Sequence, residues 1–133
     1  MKLAIVTNDG LTVSQHFGRA RFYLVVEVDG KEEVDRELRP RFTPHHSGGA
    51  GHGETHAPGQ PHGTGPDAMR RHAAMAEAIR DCDVLIAGGM GTGAVQAVEA
   101  SGIRVILTEL GDINQVVRAF VEGTLQDRRE RMD

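Results

Sequence analysis

The chain has 133 residues, a formal net charge of −4 from 15 Lys and Arg against 19 Asp and Glu, and only four Phe and one Tyr as aromatics. That length carries one core-bearing domain without staples, while an acidic balance with few rings excludes a general binder of nucleic acid or anionic membrane. The single cysteine, Cys82, excludes an internal disulfide and a cluster held by four thiolates.

Lys2 to Thr7 is an apolar run ending in Asn8-Asp9-Gly10, which predicts a buried first strand and a turn. The same run is too short for a secretory leader, and no stretch approaches a membrane span, so a cytoplasmic protein is expected. Phe22 to Val28 is rich in β-branched and aromatic residues, Asp29-Gly30 is a hairpin signal, and Lys31 to Leu38 can return as the partner strand. The first half is therefore expected to be antiparallel.

Pro44 to Pro66 holds five of the seven histidines among seven glycines and four prolines. Ala50 and Ala57 are its only apolar side chains, so the segment is expected to be a mobile surface loop. After it, Pro66 suits a first helical position, and Met69, Ala73, Ala76 and Ile79 recur at helical spacing, predicting a helix that ends near Asp81. Asp83 to Ala87 reads as a buried strand, Thr92 to Ala100 as a helix closed by Gly102, and Ile103 to Leu107 as another buried strand. Asp112 is placed to cap a helix whose Ile113, Val116, Val117, Phe120 and Val121 form one apolar stripe. The charged tail 126–133, QDRRERMD, lacks apolar periodicity and is expected to fray or to be solvated. The sum is a single α/β domain over 1–125, with a mixed five-stranded sheet, antiparallel then parallel, and about three helices.

Three segments can carry chemistry. Neutral imidazole is a common ligand for borderline metals, so His45, His46, His52, His56 and His62 are candidate ligands for a divalent transition metal, with low-complexity filler as the alternative. Ser14-Gln15-His16-Phe17-Gly18-Arg19-Ala20 combines an imidazole, a guanidinium and a glycine in one loop, a set suited to an anionic or metal-containing ligand. Gly88-Gly89-Met90-Gly91-Thr92-Gly93 joins a strand to a helix where open α/β sheets place ligands, and small residues there let backbone N–H groups approach an anion. With Ala94 and Glu109 the loop also fits a dinucleotide fingerprint, although the chain is too short for two mononucleotide halves. Met90 is open to reading as a soft ligand or a packing residue, His72 as a ligand or a helix-surface residue, and Cys82 reads as packing.

Together the first strand ending in T-N-D-G, the loop S-x-H-F-G-R-A, the D-G hairpin and the segment D-V-L-I-A-G-G-M-G-x-G-A resemble the dinitrogenase iron-molybdenum cofactor biosynthesis family, which includes NifX, NafY and the carboxyl-terminal part of NifB. The resemblance spans about residues 1–125. It implies a ribonuclease-H-like fold without nuclease activity, and noncovalent carriage of an anionic metal-sulfur cluster. The cluster would be of iron-molybdenum type, or of the molybdenum-copper type carried by the related orange protein of sulfate reducers. It points to His16, Phe17, Gly18 and Arg19 in the first loop, and to Gly88, Gly89, Met90 and Gly91 in the second, as the binding residues. A non-enzymatic carrier with cluster donor or acceptor proteins as partners is the resulting expectation. The alternatives are a Ni, Zn or Cu storage protein using the His-rich loop, a nucleotide-dependent enzyme using GGMGTG, and a structural or regulatory interaction module.

Overall fold

A computed structural model describes residues 1–41 and 74–132. Five strands, β1 (Lys2–Thr7), β2 (Phe22–Asp29), β3 (Glu32–Pro40), β4 (Val84–Ala87) and β5 (Arg104–Leu107), form one sheet in the order β3-β2-β1-β4-β5. β1 pairs antiparallel with β2 and β2 with β3, while β1–β4 and β4–β5 are parallel. The expected division into an antiparallel first half and a parallel second half is what the sheet contains. Helical residues 74–77, helix α1 (Thr92–Ala100) and helix α2 (Ile113–Glu122) pack on it.

The period-two alternation of strand side chains explains how four strands can be almost wholly apolar. One face presents Ala4, Val6, Tyr23, Val25, Leu85, Ala87, Val105 and Leu107 to a core that takes in Ala76, Ile79 and α1. The other presents Leu3, Ile5, Leu24, Val26, Val28, Val84, Ile86 and Ile106 to Ile113, Val116 and Val117 of α2. Strands covered on both faces must be apolar at every position. β3, at the sheet edge, is almost entirely exposed and carries EEVDRELRP, with Pro40 admitted because an edge strand can spare its N–H.

Local signals act as expected at the turns and caps. Gly30 takes the left-handed conformation, φ 63°, that the β2–β3 hairpin demands. The Asp112 carboxylate accepts from the Asn114 N–H at 2.9 Å and caps α2, and Gly123 closes that helix at φ 77°.

Of the two expectations for the tail, exposure holds for Gln126, Asp127, Arg129 and Glu130, and fraying is overturned. The tail does not fray: the Arg128 N–H donates to the Leu107 carbonyl at 2.7 Å, the Asp127 carboxylate accepts from the Leu107 N–H at 3.0 Å, and Met132 packs against the core. The two bonds to Leu107 occupy the outer edge of β5, and they are polar, so no apolar period announced them. No helix among the described residues is long and apolar enough to cross a membrane.

Candidate functional site

Because β1, β4 and β5 are parallel, the loops after β1 and β4 emerge side by side at the carboxyl end of the sheet. The excursion after β1 is fixed by an Asx turn. The Asp9 carboxylate accepts from the N–H groups of Leu11 at 2.9 Å and Thr12 at 2.8 Å, and Thr7 Oγ1 donates to the Thr12 carbonyl at 2.6 Å. Those backbone donors, the Leu11 N–H foremost, hold the Asp9 carboxyl at a pKa of about 2. Ser14 then donates its N–H to the Val6 carbonyl at 2.8 Å, and its hydroxyl donates to the His16 carbonyl at 3.1 Å.

The HFGR turn that follows, a single 3₁₀ turn over Phe17–Arg19, separates its side chains by role. Phe17 is buried at 3% exposure, while His16, Gly18 and Arg19 are exposed. Beneath the turn lies Arg41, which the sequence reading did not single out. Its guanidinium sits 4.4 Å from the Phe17 ring centroid and 4.8 Å from that of Tyr23. It donates to the Phe17 carbonyl, to the Ala20 carbonyl at 3.2 Å, and to the Met75 sulfur at 3.2 Å. Burial lowers its pKa from the usual arginine value, and burial likewise raises that of Tyr23. Among the described residues no ion pair involves Arg41, and its partners there are carbonyls, ring faces and the Met75 sulfur.

The glycine loop is joined to the first loop by two backbone hydrogen bonds. The Gly88 N–H donates to the Ser14 carbonyl at 2.9 Å and the Phe17 N–H donates to the Gly89 carbonyl at 3.0 Å. This approach leaves no room for side chains. A Cβ on Gly88 would stand 2.8 Å from the Ser14 carbonyl oxygen, and one on Gly89 would stand 2.6 Å from that of Gln15. Gly18 and Gly91 differ: a Cβ on either would meet nothing within 4 Å, and neither has a positive φ. Gly91 is the N-cap of α1, whose first N–H groups, like those of any helix, have no partner within the helix.

Met90 is 2% exposed and belongs to the same apolar cluster as Phe17, so of its two readings the structure supports packing. Cys82 is buried as well, and burial pushes its thiol up to about 12. Glu109, the acid of the dinucleotide fingerprint, faces Arg128 at 3.4 Å. Arg131 is a second residue missed from sequence: its Nε donates to the Gly88 carbonyl at 2.6 Å and its terminal nitrogen to Gln15 Oε1 at 2.6 Å. The only signal for it was the concentration of arginines in RRER, which reads equally as a solvated tail.

His45, His46, His52, His56, His62 and His72 lie outside the described residues. Among the described residues no group of three or more His, Cys, Asp or Glu side chains is placed to hold a metal ion. A groove of about 440 Å³ between β3 and α2 includes Lys31, Glu33, Arg36 and Val117 in its lining. It lies on the α2 face, whereas Phe17 and Met90 belong to the other, and Arg36 there is already paired with Glu33.

The family model described as dinitrogenase iron-molybdenum cofactor matches residues 1–123. The chain belongs to that family. Among solved structures, PH0822 is similar at 24% identity and a TM-score of 0.66, covering 96% of this chain and 94% of that one. The apo orange protein of Desulfovibrio gigas is similar at 24% identity and a TM-score of 0.62, over 96% and 92% respectively. At those identities the likeness establishes the shared fold. No curated protein matches the chain significantly. The family connects the chain to the iron-molybdenum cofactor, and its matched span contains both loops that meet at the sheet end.

Proposed function

We propose that this protein binds and carries an anionic metal-sulfur cluster, of iron-molybdenum or molybdenum-copper sulfide type, as cargo in the cytoplasm, and passes it to an acceptor protein without catalysing a reaction. The observation that carries this reading is the joining of the HFGR and GGMG loops by the Phe17–Gly89 and Gly88–Ser14 backbone bonds, with open space left at Gly18 and Gly91. A glycine that neither sterics nor backbone dihedral requires suits a place where a bulky ligand comes against the main chain. Exposed Arg19 supplies charge to offset the cargo, and exposed His16 supplies an imidazole to ligate metal or donate to sulfide. On imidazole chemistry alone, His45, His46, His52, His56 and His62 are further ligands.

The test is anaerobic titration with tetrathiomolybdate, a soluble molybdenum-sulfide dianion, followed by its charge-transfer absorption. Four proteins are compared: wild type, His16→Ala, Arg19→Ala and Gly91→Asp. Aspartate at an N-cap stabilises a helix by about a few tenths of a kcal/mol relative to glycine, so Gly91→Asp is expected to keep or slightly raise the melting temperature while abolishing binding. Equal binding by all four would refute the site. If wild type instead takes up only Ni, Zn or Cu, and deletion of 45–62 abolishes that uptake, the protein is a simple metal store.

A further inference from the structure

We infer that residues 127–132, beyond the span matched by the family, form a strap that fixes the two site loops relative to each other, with Arg131 as its positioning residue; its ligand-binding consequence rests on the carrier reading above. The strap is anchored before it reaches the site. Asp127 and Arg128 take the last rung of β5 through Leu107, and Arg129 donates to Glu99 of α1 at 2.7 Å and to the Val105 carbonyl at 3.2 Å. One 3₁₀ turn, Arg129–Arg131, then brings Arg131 over the glycine loop, where the Met90 N–H donates to its carbonyl at 3.4 Å.

From that position the Arg131 guanidinium spans two elements. Nε holds the carbonyl of Gly88, in the loop after β4, and the terminal nitrogen holds the side chain of Gln15, in the loop after β1. Apart from this bridge, the loops are tied by the two backbone bonds at Gly88 and Phe17. A planar fork with donors at fixed separation sets the distance between its two acceptors, which an ammonium cannot do. Arg128 and Arg129 each pair with carboxylates, whereas no ion pair among the described residues involves Arg131. The bridge lies at the loop junction, where an anionic cargo would meet the backbone, and small misplacements of a binding constellation are costly.

The test uses the full chain as Arg131→Ala and Arg131→Lys. Hydrogen exchange is read by NMR at the Phe17 and Gly88 amides with the Leu85 amide as core reference, and tetrathiomolybdate affinity is read alongside. Both variants are expected to exchange about tenfold faster at Phe17 and Gly88 with Leu85 unchanged, and to bind about tenfold more weakly, the scale of one charge-assisted hydrogen bond. Unchanged amides in both variants overturn the inference. So does full rescue by Arg131→Lys, which would make the role charge alone. If wild type binds no tetrathiomolybdate, the carrier reading falls, and the strap is decided by the amides.

Discussion

Gly89→Ala tests whether the glycine loop is built by close backbone approach. The new Cβ would lie 2.6 Å from the Gln15 carbonyl oxygen, a backbone atom that no rotamer change can move. Bringing that contact to 3.0–3.4 Å requires a retreat of about 0.4–0.8 Å by a segment held through the Ser14 N–H on Val6 and the Phe17 N–H on Gly89. The Phe17–Gly89 bond is the one that must stretch first. Losing one backbone hydrogen bond at about 1 kcal/mol and straining a packed loop at about 1–3 kcal/mol gives a loss of about 2–4 kcal/mol. For a domain of this size that lowers the melting temperature by about 8–16 °C. The assay is urea and thermal unfolding beside Gly91→Ser, where the site is open and serine is a good cap, so stability should stay within about 0.5 kcal/mol of wild type. Coincident unfolding curves for Gly89→Ala and wild type, with the Phe17 amide equally protected, would refute the argument.

Arg41→Lys should cost about 1–3 kcal/mol in urea unfolding, because one ammonium cannot stack between the Phe17 and Tyr23 rings while serving both the Phe17 and Ala20 carbonyls. Cys82, its thiol moved from 9.0 to about 12, should carry about a thousandfold less thiolate at neutral pH and react with iodoacetamide only as fast as the protein unfolds; rapid native-state labelling would contradict this. Two carboxylates predict acid sensitivity. Asp9 is held at about 2, and Asp81 is held well below the carboxylate range, first by the Arg39 guanidinium and also by Lys2. A depressed folded pKa stabilises above the unfolded value of 3.8, and the gain disappears as pH falls toward the folded value. The melting temperature should therefore drop between pH 4 and pH 2, with a shallower drop in Asp9→Asn; parallel curves would count against the Asx-turn account.

What could be read from the chain was what depends on period and on local caps. β1, β4 and β5 announced themselves as apolar runs and β2 by its β-branched and aromatic residues, because both their faces are covered, and Asp112 announced α2 because its carboxylate meets the Asn114 N–H two residues on. β3 was legible through Asp29-Gly30 rather than through its own exposed, charged residues. Arg41 and Arg131 were not legible, because each takes its role from partners far along the chain: Phe17 and Tyr23 for one, Gly88 and Gln15 for the other. Arginine on a strand end or in a polar tail reads as solvated until its acceptors are known. The tail misled for the same reason, since guanidinium forks on carbonyls leave no periodic trace.

The motif shared with the family thus divides into two kinds of position that the sequence presents alike. Phe17, Met90, Gly88 and Gly89 are explained without any ligand: two side chains fill the core, and two glycines permit a backbone approach that a Cβ would block. His16, Gly18, Arg19 and Gly91 are exposed or have open space at Cβ, and neither core packing nor backbone dihedral accounts for them. If these four meet the cargo, substitutions among them should give folded protein that binds nothing, whereas substitutions in the first set should lose stability and binding together. A His16, Arg19 or Gly91 variant that melts early, or a Gly89 variant that melts normally yet fails to bind, would show that architecture and ligand contact are not separated in this way.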